Sequence, residues 1–179
     1  MRAVSSKDQM LSVLKASVFS GINHLETAPA YSDAETLLGE SIKTLKEKEI
    51  APSGGWVITS KVLPHLELKE AKQSLLETLA RLQISKLDNL AVHGINLPEH
   101  LDWALNGAGA ELLRWAQENE FIAQVGFSSH GPLSLIEEAV KSKRFQFCSL
   151  HLHLLDPERI PLALIALKNG MGVMAISPA

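Results

Sequence analysis

Three apolar runs in this sequence each end on a titratable side chain: Glu26 after Ile22-Asn23-His24-Leu25, Lys61 after Trp56-Val57-Ile58-Thr59-Ser60, and His93 after Leu90-Ala91-Val92. A few residues past Glu26 stands Tyr31, the only tyrosine. If these runs are parallel strands of one sheet, four titratable groups from distant parts of the chain meet above its carboxyl edge. That edge is where sheets and barrels of this kind place their chemistry. An enzyme is therefore the first expectation.

The elements that must position these groups alternate along the chain. Ser6-Lys7-Asp8-Gln9 reads as a capping box, followed by Met10, Leu11, Val13, Leu14, Val18 and Phe19 at helical spacing until Gly21 ends the run. A first strand over 22–27 follows. Ser32-Asp33-Ala34-Glu35 reads as a second capping box, opening a helix with Leu37, Leu38, Ile42 and Leu45 on its apolar side. Strands are expected at 56–61 and 87–93, with a helix over 68–82 between them, and one or two helices over 103–118. Further strands are expected at 124–128, 145–150 and 172–177, separated by helices around 133–140 and 160–167. Six such alternations, with strands apolar on both faces, predict a parallel sheet covered by helices, an α/β fold.

A doubly wound dinucleotide fold would carry Gly-x-Gly-x-x-Gly straight after its first strand, where this chain has Ala28-Pro29-Ala30-Tyr31. Gly107-Ala108-Gly109 has Leu112 at the place of the third glycine and reads as a flexible loop. Chemistry drawn from the ends of several strands fits a (β/α)8 barrel, although such a barrel typically takes about 250 residues. The expectation is a single partial barrel domain over 1–179, with about six β/α units.

The segment from Gly21 to Tyr31, followed by Glu35-Thr36-Leu37-Leu38-Gly39-Glu40, resembles the strand-loop-helix signature of the aldo-keto reductases. Ile58-Thr59-Ser60-Lys61, Leu87 to His93, Val125-Gly126-Phe127-Ser128-Ser129 and Val173 to Pro178 resemble later signatures of that family, in the same order. His93-Gly94-Ile95-Asn96 and Leu150-His151-Leu152-His153 are similar to a microbial branch whose longer members append a cysteine-rich iron-sulfur region. The resemblance implies a TIM barrel shortened at both ends, lacking the first strand and the last strand with its cofactor loops. It also implies NADPH as cofactor, with NADH admissible, and a small-molecule carbonyl substrate.

The resemblance further implies a catalytic tetrad. Hydride arriving at a carbonyl carbon places negative charge on oxygen, which a nearby acid must neutralise. Tyr31 is the expected acid. A phenol is a weak proton donor at neutral pH, so a neighbouring cation is needed, and Lys61 is expected to be that cation. Glu26 would hold Lys61, although the family's usual carboxylate is aspartate, one methylene shorter. Neutral His93 would position the carbonyl. Cofactor contacts fall on Ser128 and Ser129, where relatives have Ser-Asn, on Ser149 in place of a glutamine, and on Ser177. Ile176 stands where an aromatic ring often stacks on the nicotinamide.

Other expectations come from the residues alone. His151 and His153, at i and i+2 on a strand, share a face and could serve a metal-dependent hydrolase, a second class of reading. A third is a barrel fragment without activity. His24, His65, His100 and His130 read as surface or capping residues, and Trp103 and Trp115 as packing. The 179 residues are 46% hydrophobic, with a net charge of −3 and no basic stripe, so neither nucleic acid nor an anionic membrane is an expected partner. A single cysteine, Cys148, excludes an internal disulfide. The amino terminus lacks an apolar signal core and no apolar stretch reaches about 18 residues, so a cytoplasmic location is expected. Oligomeric state is not readable from the sequence.

Overall fold

The computed structural model describes residues 4–155 and 157–176. Its elements are α1 (Lys7–Phe19), β1 (His24–Glu26), α2 (Ala34–Glu47), β2 (Val57–Val62), α3 (Leu68–Leu82), β3 (Leu87–Val92), α4 (Pro98–Leu105), α5 (Ala108–Glu118), β4 (Ile122–Ser129), α6 (Leu133–Lys141), β5 (Phe147–His151), a 3-10 turn (Pro157–Arg159), α7 (Ile160–Lys168) and β6 (Gly172–Ile176). The six strands pair in sequence order, all parallel, and the sheet curls into a half-barrel with helices on its convex side. Among the described residues no helix is long and apolar enough to cross a membrane.

The strands are not apolar on both faces. Alternate residues Leu25, Ile58, Leu90, Val92, Val125, Phe127, Cys148 and Leu150 are buried in one hydrophobic core with Leu38, Leu75, Leu79, Leu112 and Ile136 of the helices. Each fully buried leucine there contributes roughly 1.5–3 kcal/mol. The intervening residues line the concave face, which is largely polar: the His24 ring contacts Thr59 Oγ1 at 2.7 Å, and Asn89 Nδ2 donates to the same oxygen at 3.0 Å. Two-residue alternation therefore divides the sheet into a packing face and a polar one. Gly126 belongs to the concave face, and a Cβ there would lie 2.5 Å from the Phe147 ring, which fills the space instead.

Helix starts follow local chemistry unevenly. Ser6 caps α1 as expected, its Oγ accepting from Gln9 N at 3.2 Å. The second expected capping box does not form: α2 begins at Ala34, with no side-chain cap bond from Asp33. Glu35 turns inward instead, accepting from Ser60 Oγ at 2.5 Å and from Arg81 Nε at 2.7 Å, because a guanidinium and a buried hydroxyl outcompete a helix-end amide for a carboxylate. Residues 107–109 are not a flexible loop but the junction of α4 and α5. Gly109 lies in α5, and a Cβ on it would meet the Trp103 ring at 2.3 Å, so glycine is required for that helix contact.

Candidate active site

Lys61 is the hub of the strand-end cluster. It lies one residue before the end of β2, on the concave face, and is only 3% exposed. A buried ammonium must find acceptors for its three hydrogens. It has three: Glu26 Oε1 at 2.6 Å, the main-chain oxygen of Thr27 at 3.1 Å and the Tyr31 hydroxyl at 3.1 Å. Glu26 is the last residue of β1, and its register opposite Thr59 sets Lys61 two residues further along the same face. The longer carboxylate thus reaches the lysine directly.

Tyr31 is held by a turn rather than by a strand. Its N–H donates to Ala28 O at 3.0 Å, its carbonyl accepts from Ala34 N at 3.1 Å, and Ser32 takes a left-handed φ of +50°. This turn folds the ring back over β2, with the Lys61 ammonium 4.6 Å from its centroid. Because the Tyr31 oxygen accepts from Lys61, its own hydrogen is left to point away from the lysine. His93 follows β3 and is anchored by a main-chain bond from its N–H to Val62 O at 2.8 Å. Its ring meets Tyr31 edge-on, with centroids 5.7 Å apart and planes at 88°. All four expected tetrad residues therefore gather at one end of the sheet.

The expected cofactor residues divide. Ser128 Oγ accepts from Gly94 N at 3.0 Å, while Ser129 Oγ donates to Ile95 O at 2.6 Å and accepts from Gly131 N at 3.0 Å. Both hydroxyls pin the loop that follows β3. Ser149 pairs with Ser128 across the strands, on the concave face, and its buried Oγ has no hydrogen-bond partner among the described residues. Such an orphaned hydroxyl fits a polar ligand group. Ser177 lies outside the described residues.

The histidines are more varied than surface caps. His24 is half-buried inside the curl, and burial lowers its pKa from the ordinary 6.5, against the opposing pull of Glu26 and Asp88. Its place two residues before Glu26 on one strand was the sequence signal for a shared face. It also lines a cavity of about 280 Å³ on the concave side, with Asn89, Phe147, Gly172, Val173 and Met174. His100 tethers the loop after β3 by a ring contact to Gly94 O at 2.9 Å. His130 is largely exposed; the part of its ring that is covered lowers its pKa first, followed by His151 and Arg159. His151 stands 4.2 Å from the His130 ring and 6.0 Å from that of His153. Among the described residues no group of three or more histidine, cysteine, aspartate or glutamate side chains is arranged to share a metal ion.

Two contributors had no sequence signal. The Thr27 carbonyl completes the Lys61 shell, and Asn96 Oδ1 accepts from His130 N at 2.8 Å, tying the loops after β3 and β4 together.

A model of the aldo/keto reductase family matches residues 2–179 of the chain. Solved structures share the fold. A Pseudomonas aeruginosa protein described as an aldo-keto reductase superposes with a TM-score of 0.80 at 21% identity, over 96% of this chain and 66% of its own. The holo form of an aldo-keto reductase from Bacillus halodurans gives 0.78 at 18% identity, over 96% of this chain and 58% of its own. A Bombyx mori aldo-keto reductase in complex with NADP gives 0.76 at 18% identity, over 98% of this chain and 58% of its own. The chain thus spans less than two thirds of the length of each. No curated protein matches it by sequence.

Proposed function

The chain belongs to the aldo/keto reductase family, and from that premise we propose that its strand-end cluster reduces a small-molecule carbonyl compound to an alcohol, with Tyr31 as the proton donor. The observation that carries this reading is the Lys61 shell. With all three ammonium hydrogens committed, one of them to the phenol oxygen, the Tyr31 hydrogen is directed outward and the negative charge that develops on losing it faces a cation. Glu26 pairs with Lys61 and keeps it in place. His93, set edge-on to Tyr31, donates to the same substrate oxygen and orients the carbonyl.

NADPH, or NADH, supplies the hydride when bound. Ser149 is the residue of this chain best suited to hold its amide end, since its hydroxyl is uncommitted, while Ser128 and Ser129 shape the adjoining loop. Ser177 belongs to the same group by its place in the family signature. A cytoplasmic location accords with a single cysteine among 179 residues.

The test is Tyr31→Phe. Carbonyl reduction is expected to fall by about 10²–10⁴-fold, while NADPH affinity, followed through tryptophan fluorescence, stays unchanged. Undiminished turnover in this variant would sink the proton-donor role. A folded wild-type chain without saturable NADPH binding would overturn the cofactor-dependent reading as a whole.

A further inference from the structure

On the convex side, away from the tetrad, α4, α5, β4 and the turn before β5 border a half-open cavity of about 390 Å³, within the range typical of small-ligand sites. It is lined by Ala104, Ala110, Leu113 and Val125 together with Gln117, Arg114, Lys143 and Arg144. No acidic side chain lines it. Arg114, Lys143 and Arg144 form no ion pair or side-chain hydrogen bond among the described residues, whereas Lys7, Lys61, Arg81 and Lys141 are each paired with glutamate. Three unpaired, solvent-exposed cations border one concavity and repel one another weakly through water, in a chain whose net charge is −3. An anion would relieve that repulsion.

The cations are presented on rigid elements. Ala110, Leu113, Arg114 and Gln117 occupy one face of α5 by their i, i+3, i+4, i+7 spacing. Lys143 takes a left-handed φ of +57°, and the turn around it is bound at both ends. Ser142 Oγ donates to Ala139 O at 2.6 Å and accepts from Arg144 N at 3.3 Å. Gln146 N donates to Val125 O at 2.7 Å, and Gln146 Oε1 accepts from Val125 N at 2.9 Å. A floor of alanine, leucine and valine beneath charged walls suits a ligand with an apolar body and an anionic head.

We propose that this cavity binds a phosphate-bearing small molecule with an apolar portion, Arg114, Lys143 and Arg144 holding the phosphate while Ala104, Ala110, Leu113 and Val125 contact the rest. The phosphate is preferred to a monoanion because three cations surround one space. Lys143 and Arg144 precede β5, so the site lies toward the end of the sheet opposite Tyr31 and is independent of the reductase reading.

Calorimetric titration with phenyl phosphate at low ionic strength tests the assignment. Saturable one-to-one binding is expected, tighter than that of inorganic phosphate or phenol, and weakened by salt. The variant carrying Arg114→Gln, Lys143→Gln and Arg144→Gln should bind at least about tenfold more weakly, each single variant falling between, with the circular dichroism spectrum and Tyr31-dependent turnover retained. Equal binding by the triple variant, no saturation by the wild type, or inorganic phosphate binding as tightly as phenyl phosphate would overturn the proposal. Tighter binding of a short oligonucleotide would overturn the small-molecule assignment.

Discussion

The Lys61 ammonium donates to the Tyr31 hydroxyl at 3.1 Å while standing 4.6 Å from the centroid of the same ring, so one cation addresses both the oxygen and the π face of the phenol. That double contact requires the ammonium to be fixed, and the residue that fixes it is Glu26. The orientation of the proposed acid therefore depends on the carboxylate that holds the lysine.

Replacing Glu26 by glutamine leaves a buried cation without its counter-charge. Urea denaturation should show a loss of about 3 kcal/mol. Glu26→Asp keeps the charge but shortens the reach by a methylene, and should lose less than half as much. Equal losses in the two variants would mean that chain length, rather than charge, is what the site requires.

Gly126→Ala drives a methyl group into the Phe147 ring, 2.5 Å from the ideal Cβ position. The expected cost is about 1–3 kcal/mol, read as a lowered melting temperature. Adding Phe147→Leu in the same chain should recover at least half of it, since the leucine vacates the ring's space; a double variant no more stable than Gly126→Ala contradicts the steric account.

Burial pushes the Cys148 thiol up to about 12, and the residue is fully enclosed. Only the thiolate attacks disulfide reagents, so at pH 8 the folded protein should react with an aromatic disulfide orders of magnitude more slowly than the same chain in denaturant. Comparable rates would place the thiol near solvent.

His24 gives a pH dependence of stability with a definite sign. Its pKa is lowered in the folded state by burial, so the unfolded chain takes up its proton first as the pH falls. The contribution is fully present above about pH 6.5, the unfolded value, and is lost as the pH falls through the lower folded value. Melting temperatures at pH 7.5 and 5.5 should therefore differ less in His24→Gln than in the wild type; an identical drop in both assigns the acid sensitivity to other groups.

The strand-end groups were legible because parallel strands place their last inward side chains on one rim, and a sequence read in twos shows which residues those are. Glu26, Lys61 and His93 obey that rule. Tyr31 does not, since a turn positions it; its being the only tyrosine, just past Glu26, singled it out, and the ordered family signature gave it a role. Glu35 shows where local reading fails. Its spacing from Ser32 satisfies the capping pattern, yet its partners Ser60 and Arg81 lie 25 and 46 residues away, and no local window contains them. The polar concave face was hidden for a related reason: Thr59 and Asn89 lie 30 residues apart and acquire meaning only when strands β1 to β3 bring them together around His24.

The alternation along the strands also governs how such a chain can change over evolutionary time. Ser60 is tied outward to Glu35 and the helices, while Lys61, its next neighbour, serves the rim. Stability and chemistry are thus written on interleaved positions of the same short strands. Substitutions on the concave set can alter the rim and its polar lining without displacing the leucine layer behind it. An insertion or deletion of one residue within a strand has no such freedom, for it would exchange the two sets and send the lysine among the leucines.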